Sequence, residues 1–119
     1  MSAAGLHHLA DVEEIRIGVR RPDGSTRSVP IWVVQVGDHI YVRSVRGPEG
    51  GWYRRLRANP DGEVRDGEHR HLVRAEAVTD AGTLAQVTRA YATKYGASPF
   101  VRPLLGGPSV EATLRLDPA

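Results

Sequence analysis

From Ile15 the apolar residues take alternate positions, with Ile15, Ile17 and Val19 on one side and Arg16, Gly18 and Arg20 on the other. This period of two is that of a half-buried strand. Pro22-Asp23-Gly24 then joins a residue that presets φ to one that accepts positive φ, and predicts a reversal. The run Val29-Pro30-Ile31-Trp32-Val33-Val34-Gln35-Val36 is apolar on both faces, which predicts a strand covered on both sides and placed at the centre of a sheet. Gly37-Asp38 is a two-residue hairpin signal leading to a strand from His39 to Val45, and Asp66-Gly67 predicts a second tight turn between a short strand near Glu63–Arg65 and a long one from Glu68 to about Thr79.

The period lengthens from Asp80 to Tyr95, where Leu84, Val87, Tyr91 and Tyr95 form one stripe ahead of Gly96, and this predicts the long helix. A shorter helix is expected near Trp52–Ala58, stopped by Asn59-Pro60. Val110, Ala112, Leu114 and Leu116 alternate with polar residues and predict a closing strand. The fold class is therefore mainly β with helices (α+β). About six antiparallel strands form a small barrel, because closure removes the exposed edges of such a sheet. Residues 1–14 show no sustained period beyond a short helical turn opening at Asp11, and read as a lead-in or flap to a single domain over 15–119.

Composition narrows the chemistry. A chain of 119 residues supports one core. It has no cysteine, so disulfides, thiolate metal sites and cysteine nucleophiles are ruled out. No apolar run approaches a bilayer span and the N-terminus lacks a secretory pattern, so a cytoplasmic protein without membrane contact is expected. The net charge of +2 argues against a broad nucleic-acid footprint, although Arg54, Arg55 and Arg57 beside Trp52 and Tyr53 have the composition of a small one. Lys94 is the only lysine. The remaining basic residues are arginines, whose planar fork pairs with phosphate or carboxylate.

The densest candidate for function is Ser44 through Pro60, where a strand end carrying Arg43 and Ser44 runs into a glycine-rich loop and then a short helix. Glycines free backbone N–H groups to converge on an anion, a helix N-terminus adds partial positive charge, and arginine adds charge-assisted bonds. Phosphate is the ligand this combination suits; a solvated surface loop is the competing reading. Trp32 and Trp52 offer flat surfaces for a ring, with core packing the stronger role for Trp32. His69 and His71 would share a strand face, but no third ligand stands near them, and no metal site is expected.

Arg20-Arg21-Pro22-Asp23-Gly24-Ser25-Thr26-Arg27, Val29-Pro30-Ile31-Trp32, Val36-Gly37-Asp38 and Ser44 to Pro60 together resemble the deazaflavin-dependent nitroreductase family. With Ala90 to Gly96 and Ala112-Thr113-Leu114-Arg115-Leu116 added, the chain from Ile15 to Leu116 is similar to the uncharacterised DUF2255 family of small bacterial proteins. The resemblance implies a split β-barrel related to the pyridoxamine-phosphate oxidases and other FMN-binding barrels, with a cofactor's phosphate near the loop after the third strand. It also implies a homodimer. On that reading FMN or coenzyme F420 is the cofactor, Arg43, Ser44, Arg46 and Gly47 are expected at its phosphate, Trp32 and Trp52 at the pocket, and Arg27 at a second anionic group. The activity would be an oxidoreductase acting on a small organic acceptor with no catalytic side chain of its own. The alternative is a cofactor-free split-barrel module for a small ligand or a protein partner.

Overall fold

The computed structural model describes residues 4–21 and 23–119. Met1 to Ala3, and Pro22 of the expected first turn, lie outside the described residues. Seven antiparallel strands form one curled sheet: β1 (Ile15–Arg20), β2 (Thr26–Ile31), β3 (Val33–Val36), β4 (His39–Arg43), β5 (Asp61–Asp66), β6 (His69–Ala77) and β7 (Thr113–Pro118), in the order β2-β1-β5-β6-β7-β4-β3. The helices are α1 (Gly51–Ala58), α2 (Ala81–Tyr95) and the single turn α3 (Pro108–Glu111), with 3₁₀ segments at Ala4–Asp11, Gly47–Glu49 and Pro99–Leu104.

Much of this follows from local chemistry. Gly37 and Gly67 take φ of 60°, the left-handed region their hairpins require, and Gly24 takes 88° in the β1–β2 turn. Asp80 caps α2, its carboxylate accepting the Thr83 N–H at 2.7 Å. Ile15, Ile17 and Val19 are buried as their spacing requires.

Two expectations need correction. The apolar run 29–36 is not one central strand. It breaks at Trp32 into β2, which pairs with β1, and β3, which pairs with β4. These are the two edges of the sheet, so Trp32 is the corner at which the chain passes from one edge of the curled sheet to the other. The run is apolar on both faces because its second half is covered twice: Val33 and Val42 enter the barrel core, while Val34 and Tyr41 pack outward beneath α2 with Val87, Tyr91 and Tyr95. The closing strand is also shorter than its alternation suggested, since Val110 belongs to α3 and β7 starts at Thr113.

Leu6 and Leu9 of the segment before β1 are buried in the barrel core, each worth about 2 kcal/mol by transfer from water. No helix among the described residues is long and apolar enough to cross a membrane.

Candidate binding cleft

A cleft of about 470 Å³ opens beside the Trp32 corner. Three elements build it. On β2, the strand period sends Arg27, Val29 and Ile31 to one face, and all three line the cleft. On α1, Trp52 and Arg55 stand three residues apart and so share a face, while Tyr53 and Leu56 turn into the core. The end of β4 supplies Arg43, Ser44 and Arg46, and Phe100 and Leu104 of the Pro99–Leu104 segment form the apolar side.

Of the residues singled out from sequence, Arg27, Trp32, Arg43, Ser44, Arg46 and Trp52 all line this cleft. Gly47 does not. It is buried at a φ of 69°, and a Cβ there would come within 2.6 Å of Pro108 Cβ, so its lack of a side chain serves a close approach to α3. The glycine-rich loop is also not an open ring of amides. The Gly47 N–H donates to Ser44 O at 2.9 Å and the Gly50 N–H to Gly47 O at 3.1 Å. Gly50 instead leaves room for Ser44, whose Oγ occupies the space a Cβ would take. The remaining donors near the loop are the first N–H groups of α1, which have no acceptor within the helix.

Arg43 is placed differently from a residue at a strand end. It is 2 % exposed. Its Nε donates to Thr113 Oγ1 at 2.8 Å, Nη1 to Thr88 Oγ1 at 2.7 Å and Leu104 O at 2.8 Å, and Nη2 to Leu84 O at 2.8 Å. These acceptors lie on β7, α2 and the Pro99–Leu104 segment, so one guanidinium ties three elements to β4. Every acceptor is neutral, and burial pulls its pKa below the ordinary arginine value. The floor of the cleft thus carries a buried positive charge with no carboxylate partner among the described residues.

Arg27, Arg46 and Arg55 are exposed around this floor and form no ion pair among the described residues. Glu14 is the single acidic residue of the described lining. Elsewhere arginine is neutralised, as at Arg70–Glu63, 2.6 Å, and Arg74–Asp61, 3.1 Å. Arg55 was singled out only for a small nucleic-acid patch, and Glu14 and Phe100 were not among the sequence candidates. Arg55 was detectable from its spacing to Trp52, whereas Glu14 and Phe100 reach the cleft only through the tertiary fold.

The tryptophans have distinct settings. Trp32 lies flat on Tyr95, with ring centroids 4.2 Å apart and planes 3° from parallel. Trp52 meets Tyr53 edge-on at 6.4 Å and packs partly against the barrel core. His69 and His71 are outside the cleft, and no group of three metal-ligating side chains occurs among the described residues.

The HutZ heme storage protein of Vibrio cholerae superposes with a TM-score of 0.72 at 16 % identity, over 100 % of this chain and 92 % of that one. An F420-H2 dependent reductase gives 0.68 at 15 % identity, over 89 % of this chain and 95 % of that one. An FAD-binding protein of Mesorhizobium loti gives 0.64 at 20 % identity, over 99 % and 88 %. At these identities the likeness shows the fold alone, a split barrel. No curated protein matches the sequence. The family model described as an uncharacterised protein conserved in bacteria, DUF2255, matches residues 5–116, and the chain belongs to that family.

Proposed function

We propose that the cleft binds a planar, anionic cofactor of the flavin or deazaflavin class, FMN or coenzyme F420, and that the bound cofactor exchanges two electrons with a small organic acceptor. One observation carries this reading: three exposed arginines without ion-pair partners among the described residues surround a buried arginine that has no counter-charge there, in a cleft that also presents two tryptophans. A buried cation without an anion is costly, and a ligand phosphate or carboxylate would offset that cost. The cleft volume of about 470 Å³ falls within the usual range for small-molecule and cofactor sites. Structural neighbours described as an F420-H2 dependent reductase and an FAD-binding protein give the reading further support.

The lining fits the cofactor class. Arg46, Arg55 and the first amides of α1 would hold the phosphate, Arg27 a second anionic group, and Trp32 and Trp52 the ring. The cofactor supplies the redox chemistry; the protein binds and orients it. Glu14 is the one acidic side chain of the described lining, so this chain's own contribution is chiefly electrostatic and steric. Heme fits less well, because the described lining has no histidine, cysteine, methionine or tyrosine to act as axial ligand. We further propose a homodimer, since Val45 and Phe100 at the cleft are 59 % and 76 % exposed and a second copy would cover them.

The test is the absorption spectrum of protein purified gently and desalted. A flavin or deazaflavin band that co-elutes with the protein supports the reading. A colourless protein that also fails to take up added FMN or F420 returns the fold to the cofactor-free alternative.

A further inference from the structure

Three features outside the cofactor contacts stand out on the wall behind Trp32, and all lie on the last turns of α2. Tyr95 stacks on the indole at 4.2 Å and 3°. Its hydroxyl donates to Glu13 O at 2.7 Å and accepts the Val33 N–H at 3.2 Å. One helical turn earlier, the Tyr91 hydroxyl donates to Trp32 O at 2.8 Å and accepts the Arg43 N–H at 3.1 Å. Between them, Lys94 Nζ donates to Val33 O at 2.7 Å.

The backbone groups gripped in this way bracket the cleft residues. Glu13 precedes Glu14, Val33 follows Trp32, and Trp32 and Arg43 are themselves in the lining. Tyr95 is 5 % exposed and Tyr91 is fully buried. Burial raises both phenols, Tyr95 to about 12, so both remain neutral donors through the working pH range.

We propose that Tyr95 is a positioning residue of the cleft: lying against one face of Trp32, it fixes the indole so that only the opposite face is offered to the ring of a planar ligand. This rests on the cofactor-binding reading above. Side chains that must be ordered on binding weaken it, so an indole already held by a buried neighbour binds more tightly than a free one. The stacked ring does the holding. The hydroxyl secures the flanking backbone and should matter less to affinity.

The experiment titrates FMN and F420 into the wild-type protein, Tyr95→Phe, Tyr95→Leu and Trp52→Phe, following heat and tryptophan emission. Tyr95→Phe keeps the stacked ring and should bind within about threefold of wild type. Tyr95→Leu removes it and should bind about tenfold more weakly. If Tyr95→Phe binds as weakly as Tyr95→Leu, or Tyr95→Leu binds as tightly as wild type, the proposal is overturned. In Trp52→Phe, Trp32 is the sole tryptophan, and saturation with ligand should quench most of the remaining emission. This arm does not depend on whether Tyr95→Leu folds, and binding heat without quenching overturns the proposal on its own. Wild-type protein that binds neither ligand overturns the cofactor reading and the proposal together, whereas binding that is indifferent to Tyr95 overturns the proposal alone.

Discussion

Arg43 Nη1 donates to the main-chain oxygen of Leu104 at 2.8 Å, joining residues 61 apart in sequence. With its bonds to Thr113, Thr88 and Leu84, this makes Arg43 a support of the fold before it is anything to a ligand. Arg43→Ala would leave a buried void and strip the Leu104 and Leu84 carbonyls of this donor. Its expected cost is roughly 2–4 kcal/mol, seen as a fall in Tm on the order of 10 °C. Thermal melts of the free protein check this; an unchanged Tm would mean the network carries no net stability.

Arg46 and Arg55 should behave in the opposite way. Both are exposed and neither is tied into the fold by an ion pair among the described residues. Arg46→Ala and Arg55→Ala should each leave Tm within a degree or so of wild type, as ordinary surface substitutions do. Each should weaken FMN or F420 binding about tenfold, the loss of one charge-assisted contact to a phosphate. Arg89→Ala, on the exposed side of α2, is the control and should change neither. Calorimetric titration of the three variants separates a ligand contact from a solvated arginine.

How far the sequence reveals this depends on how local the cause is. The β1 alternation, the turns at Gly37 and Gly67, the start of α2 after Asp80 and the Tyr91–Tyr95 stripe are each decided within a few residues, and each stands where its pattern put it. The break at Trp32 is not local. An apolar run reads the same whether it crosses one sheet or passes from one edge to the other, and only the pairing of β2 with β1 and of β3 with β4 separates the two. The inward turn of Arg43 is equally hidden, because its acceptors on Leu84, Thr88, Leu104 and Thr113 come from distant elements and no motif marks them. Six of the seven site residues nonetheless reach one cleft: Arg43, Ser44, Arg46 and Trp52 from the passage between β4 and α1, Arg27 from β2 and Trp32 from the corner after it.

Acid should weaken the docking of the Ala4–Asp11 segment. His71 on β6 is held below its ordinary pKa of 6.5, first by burial and then by the charges of His8 and His69, with Asp66 opposing them. Its Nε2 is buried without a partner among the described residues, and the His8 ring lies 5.0 Å away while His8 approaches Asp66 at 3.5 Å. The unfolded chain therefore takes up a proton at His71 more readily than the folded one. Stability is complete above about pH 6.5 and falls as the pH drops through the lowered value. Urea midpoints measured at about pH 8 and about pH 5, on either side of the ordinary histidine range, should differ more in wild type than in His71→Leu. Equal differences would show that another group controls the acid limb.

The central claim is that the arginine-lined cleft at the Trp32 corner holds a planar anionic cofactor. Equilibrium titration of the purified wild-type protein with FMN and with F420, followed by the ligand's own absorbance at low and high salt, tests it most directly. Saturable binding in the micromolar range or tighter, with a perturbed ring spectrum and an affinity that falls as salt rises, is the expected result; an unperturbed spectrum and no saturation with either ligand would contradict it.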